Sequence, residues 1–181
     1  GITGYKGNIE IEGAHTLNDL KIINNAADGS ITLAKSDVKL AGSLADLKDA
    51  LTGITGYTGE VDITDSAGDL LATDIKIVSD LTNKTPVITK TPNIKGNSAD
   101  VVIALGKITN TGNANIKLDD AHDLTQLKTI NDATAGSITF KDDSVKLSGS
   151  VADVGAALAG VTGYTGNVDI TDNGSDISAT A

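Results

Sequence analysis

Apolar and polar positions alternate over Ile9-Glu10-Ile11-Glu12 and again over Val61-Asp62-Ile63-Thr64. A period of two places apolar and polar side chains on opposite faces of an extended chain, so both segments read as strands. Elsewhere the period lengthens. Leu44, Leu47, Ala50 and Leu51 fall on one face of a helix. Ser43 stands before them as a cap, Asp46 three positions on makes a capping box, and Gly53 follows where a left-handed residue closes a helix. The pattern recurs from Ser150 to Gly160, with Val151, Val154, Ala157 and Leu158 as the apolar face, and from Asn97 to Gly106. A second kind of helix runs over Leu17–Ala26, with Leu20 and Ile23 inward, and recurs over Thr73–Leu81 and Leu124–Thr134. Short strands are predicted after these helices at Ile31–Leu33, Val87–Thr89 and Ile138–Phe140, and before the capped helices at Val38–Leu40, Asn93–Lys95 and Val145–Leu147.

The order of these elements is a repeat. Shifting the chain by 107 places Ala14–Thr73 on Ala121–Thr180 with about 35 of 60 positions identical. Gly-Tyr-Thr-Gly-Glu-Val-Asp-Ile-Thr-Asp at 56–65 returns almost unchanged at 163–172, and weakly at 4–13. A period of about 54 residues links Gly42–Asp46 to Gly96–Asp100 and Gly149–Asp153. The chain therefore reads as one repeat domain over 1–181: a partial unit 1–13, units at 14–69, 70–123 and 124–176, and a partial unit 177–181. The middle unit has diverged most and carries both prolines, Pro86 and Pro92.

The expected fold is α/β: a repetitive solenoid in which each turn of about 22–30 residues gives one short parallel strand and one short helix. A right-handed β-helix is the alternative. Helices of eight to ten residues are not stable alone, so stacking on like neighbours has to bury their apolar faces. Because the chain begins and ends inside a unit, two arrangements are expected: a segment of a longer array, or ends that stack on the next subunit and build a filament.

Composition narrows the function. Net charge is −10 and every one of the 14 basic residues is lysine. Nucleic-acid recognition leans on positive patches, arginine forks and aromatic stacking, and the aromatic share here is 2%. No nucleic-acid partner is expected. With no cysteine there is neither disulfide nor thiol chemistry. No apolar run approaches the roughly 20 residues of a membrane span. Phosphate loops, zinc spacings and nucleophile elbows do not occur, and the acidic residues recur with the repeat, so no enzyme activity is expected.

Two stretches carry a family likeness: Gln126-Leu127-Lys128-Thr129-Ile130-Asn131-Asp132-Ala133, and Ala157–Asp172, which reads Ala-Leu-Ala-Gly-Val-Thr-Gly-Tyr-Thr-Gly-Asn-Val-Asp-Ile-Thr-Asp. The units resemble repeats of giant secreted bacterial proteins: adhesins, surface-layer proteins and calcium-dependent repeat exoproteins of cyanobacteria and proteobacteria. That resemblance implies an extracellular, cell-surface location and a structural or adhesive role. The glycine-aspartate nonapeptides of calcium-binding β-rolls are missing from this chain.

Three sets of residues are candidate sites. Asp62 and Asp65, with their copies Asp169 and Asp172, are carboxylates around a strand end, and Asp172–Asp176 and Asp119–Asp123 are acidic turns. Calcium takes six to eight oxygens from such clusters, and aspartate is equally a turn former. Calcium is thus a possible ligand, with no cofactor required. Tyr5, Tyr57 and Tyr164 lie in the Gly-Tyr-x-Gly turns, where a row of rings could meet a neighbouring chain or a surface glycan, or could cover the preceding helix. His15 and His122 stand at equivalent places before a helix with no repeat-breaking partner, as cap-region residues. The expected partners are the chain itself, head to tail, or neighbouring repeats.

Overall fold

The structure, a computed structural model, describes residues 3–110 and 113–173. Its described residues form a mixed α/β arrangement of six strand–helix–strand modules. These are β1 (Ile9–Ile11), α1 (Leu17–Ala26), β2 (Ile31–Leu33); β3 (Leu40–Gly42), α2 (Leu44–Leu51), β4 (Val61–Ile63); and β5 (Asp69–Leu71), α3 (Ala72–Asp80), β6 (Val87–Ile88). The second half continues with β7 (Asn93–Gly96), α4 (Ser98–Gly106), β8 (Thr109–Asn110); β9 (Asn115–Leu118), α5 (Leu124–Asp132), β10 (Ile138–Phe140); and β11 (Leu147–Gly149), α6 (Val151–Leu158), β12 (Val168–Ile170).

Every described strand pairing is parallel. The strands form four open sheets, ordered β1-β2, β3-β4-β6-β8, β5-β7-β9-β10 and β11-β12. Successive helices pack on one another in chain order, α1 on α2 through to α5 on α6. Parallel pairing requires a crossover, and one helix supplies each.

The helices start because their caps are local. Thr16 and Asp123 make full capping boxes with Asp19 and Gln126. Ser43, Asn97 and Ser150 accept from the backbone N–H three residues on. The reciprocal half of the box expected at Ser43 does not form. Asp46 instead takes the Ser43 hydroxyl at 2.8 Å with one oxygen and the Lys21 ammonium of α1 with the other. Asp153 divides itself the same way between Ser150 and Lys128 of α5. These pairs hold both carboxyls below the usual carboxylate range, the lysine being the larger cause.

The core is an aliphatic ladder. The fourth residue of each helix points inward: Leu20, Leu47, Ile75, Val101, Leu127 and Val154 are all buried. The strands return Ile31, Leu40, Ile63, Ile88, Ile94, Ile116 and Ile138. Fully burying one such side chain contributes about 1.5–3 kcal/mol, which short helices cannot obtain without a neighbour.

Three expectations shift. The strands before the capped helices lie at Leu40–Gly42 and Leu147–Gly149, two residues later than predicted. Pairing with β4 and β12 fixes that register, Leu40 opposite Val61 and Leu147 opposite Val168. Strands β5 and β8 were not predicted. In β5 the helix follows with no turn residue between, so the local pattern reads as helix alone. Val151 is 44% exposed, although its counterpart Leu44 is buried at 3%.

Candidate functional site

The Gly-Tyr-x-Gly turn is built as a tether. Gly56 and Gly163 have φ of 74° and 75°, a conformation that favours glycine. The following tyrosine hydroxyl reaches back 19 residues: Tyr57 donates to the Val38 carbonyl, and Tyr164 to the Val145 carbonyl. The second glycine is required by space. A Cβ on Gly59 would lie 2.4 Å from the Val38 carbonyl oxygen and 2.5 Å from the Tyr57 hydroxyl. A Cβ on Gly166 would meet the Val145 oxygen at 2.0 Å.

This corrects the reading of the tyrosines as one interface row. Tyr57 is 1% exposed and its phenol is pushed up to about 12 by burial. Tyr164 is half-buried, with burial again the main cause of a raised pKa. Tyr5 alone is open, at 47% exposure. The physical reason is the repeat itself. Tyr57 has further modules on both sides, so the ring that a turn would display becomes core.

The aspartates do not converge on one point. Asp62 of β4 pairs at 2.7 Å with Lys39, just before β3, and Asp169 of β12 pairs with Lys146, just before β11. Asp65 accepts from the backbone N–H of Leu44 at 2.8 Å, closing the N-terminus of α2 from 21 residues downstream. Asp172 does the same for Val151 of α6. Asp120, in the acidic turn before α5, accepts from the backbone N–H of Ser98 of α4 at 2.8 Å. Among the described residues three helices thus take a carboxylate cap from 21 or 22 residues downstream, in addition to their own Ser or Asn. The spacing of 21 or 22 residues is the sequence signal that could have revealed it. Asp176 lies outside the described residues. Among the described residues no group of three or more His, Asp or Glu is placed to hold a metal ion.

Asp65→Ala is expected to lower stability by about 1–2 kcal/mol, the usual range for a lost helix cap, and Asp65→Asn to restore most of it. Urea unfolding followed by circular dichroism checks both. Equal stability of Asp65→Ala and the parent would remove the cap from the account.

The histidines sit deeper than cap-region residues need to. His15 is 6% and His122 4% exposed, and neither nitrogen of either ring has a hydrogen-bond partner. His122 packs on Phe140 with centroids 4.7 Å apart and on Tyr164 at 5.9 Å. Phe140 and Tyr164 meet edge to face at 5.8 Å. Burial lowers the His122 pKa, while Asp142, Asp120 and Asp123 pull the other way.

Lysine–aspartate pairs stitch the modules further: Lys48 to Asp74 between α2 and α3 at 2.9 Å, and Lys117 of β9 to Asp69 of β5 at 2.7 Å. Both pairs are partly solvated, where such contacts contribute up to about 1 kcal/mol. No helix among the described residues is long and apolar enough to cross a membrane. Comparison with protein-family models, with curated proteins and with solved structures returns no match.

Proposed function

We propose that this chain is a structural repeat protein of a bacterial cell surface or extracellular filament. It works without catalysis as a solenoid whose modules stack end to end, within a longer array or between copies. The observation that carries the reading is one sequence in two environments. Val61 and Ile63 of β4 are 1% and 0% exposed. Val168 and Ile170 of β12, in the same Val-Asp-Ile-Thr-Asp stretch, are 40% and 41% exposed. Strand β4 is covered by pairing with β6. The β12 surface thus has the chemistry of an internal surface, and a further module is the covering it matches.

The alternation of helix types supports the same reading. Helices α2, α4 and α6 begin after a Ser or Asn cap and α1 and α5 begin with a capping box, while α3 has no side-chain cap. The bacterial, extracellular setting rests on the resemblance of the repeat stretches and on a chain without cysteine and with only lysine as its basic residue.

Negative-stain microscopy of the purified chain, with and without calcium, tests the proposal. Uniform fibres support assembly between copies. Separate rods, lengthening by about 4.8 Å per module, support a spacer. Compact round particles overturn the solenoid. A calcium-dependent rise in melting temperature would favour an adhesin module whose acidic turns hold the ion, because a ligand of the folded state stabilises that state.

A further inference from the structure

His122 is buried at the positive end of α5, immediately before the Asp123 cap. Its ring stacks on Phe140 of β10 and on Tyr164 in the turn before β12. The charged groups around it are all committed elsewhere. Asp120 accepts from the Ser98 N–H at 2.8 Å, Asp123 from the Gln126 N–H at 2.7 Å, and Asp142 from the Ser144 N–H at 3.1 Å. The Tyr164 hydroxyl donates to Val145. Both imidazole nitrogens are left without a partner. His15, before α1, is likewise buried with neither ring nitrogen partnered, and the nearby Asp19 accepts from the Thr16 N–H at 3.0 Å. The positions corresponding to Asp120 and Asp142 there hold Gly13 and Lys35.

A neutral ring suits this site as an apolar body against two aromatic faces. An imidazolium does not. It would add a second unpaired N–H to the one the neutral ring carries, and place a positive charge in a buried site at the positive end of a helix. We propose that His122 is an acid-sensitive lock: the neutral ring holds the start of α5 against the turn at 163–166, and protonation releases it.

The direction of the pH dependence follows from linkage. For His122 the folded-state pKa lies below the ordinary value. The unfolded chain therefore binds the proton more readily, and the stabilisation is complete above about 6.5 and is lost as pH falls through the folded pKa. Surface carboxylates such as Asp46, Asp69, Asp80 and Asp153 are held low by their lysines. Their contribution is lost only below the ordinary carboxylate value near 3.8, so the two effects separate on the pH axis.

The test is the melting temperature of the full chain at pH 7.5 and pH 5.0, for the parent and His122→Phe. The parent is expected to lose about 5 °C or more and His122→Phe to change little. A flat parent profile, or an equal loss in His122→Phe, overturns the proposal. NMR titration of the His122 imidazole in the unaltered protein gives a second readout that needs no variant to fold. A His122 midpoint well below 6.5, with native signals fading as the ring protonates, supports the lock. A midpoint at or above 6.5 with the fold intact overturns it. Both measurements use the dilute chain, so they stand apart from whether modules assemble.

Discussion

Ile63→Ala lowers the free energy of unfolding by about 2–5 kcal/mol, while Ile170→Ala lowers it by less than about 1 kcal/mol. The two isoleucines hold the same place in the repeat, so the comparison removes sequence and leaves only surroundings. Ile63 is 0% exposed, and β4 is flanked by β3 and β6. Deleting its side-chain atoms loses their transfer free energy and leaves a void that the packed neighbours fill only in part. Ile170 is 41% exposed, and among the described residues its strand pairs only with β11. Truncation there loses little contact and opens no enclosed cavity. Urea unfolding of the dilute chain measures both. Repeating Ile170→Ala at rising protein concentration adds a readout of assembly. If a second copy covers β12, its cost grows with concentration, because the covering partner stabilises the folded state by mass action. Equal costs at every concentration for the two sites would mean that β12 is as enclosed as β4.

Tyr57→Ala is the second large effect, about 3–5 kcal/mol, in the range found for removing a buried aromatic ring. The ring is 1% exposed among Leu, Ile and Val neighbours of the core. Its hydroxyl also donates to the Val38 carbonyl, so the truncation leaves a buried acceptor unpaired. Tyr57→Phe keeps the ring and removes only the donor, so it costs about 1 kcal/mol. Tyr5→Ala, in the open copy of the turn, changes stability by less than about 0.5 kcal/mol. A Tyr57→Ala chain as stable as the parent would return the tyrosine to the surface role that the sequence suggested. A Tyr5→Ala chain as destabilised as Tyr57→Ala would show that exposure at this turn does not set the energetics.

The acidic turns illustrate how a repeated motif conceals its purpose. Asp65 and Asp172 are visible as recurring carboxylates, but what they bond is an amide 21 residues earlier in the chain. A helix N-terminus leaves N–H groups without intrahelical partners, so a carboxylate that follows the returning strand is a natural acceptor. The same oxygens would suit a cation in an open turn. Only the placement of α2 beside the end of β4 decides between the two uses.

The histidines were visible as a pair, and their depth was not. Nothing in Ala-His-Thr-Leu or Ala-His-Asp-Leu announces burial. His122 is enclosed because Phe140 and Tyr164 arrive from 18 and 42 residues away in the chain and close over it.

What the sequence determined by itself is local. Caps at Ser43, Asn97 and Ser150, the helical spacing of Leu44, Leu47, Ala50 and Leu51, and the closing Gly53 with φ of 85° fix where helices begin, face and stop. Each depends on residues within one or two turns of chain, and the duplication repeats the signal. The pairing of strands was decided only in three dimensions. Helices begin at residues 17, 44, 72, 98, 124 and 151, so they recur every 26–28 residues. Paired strand residues lie 21–25 apart. The two periods differ, so a ladder held in register slides along the helix stack. The sheet that begins with β5, directly before α3, ends with β10, after α5. That drift divides the strands among four sheets rather than one. It arises because backbone hydrogen bonds hold each strand to its neighbour while aliphatic packing holds each helix to the next, and no local stretch of sequence contains both constraints.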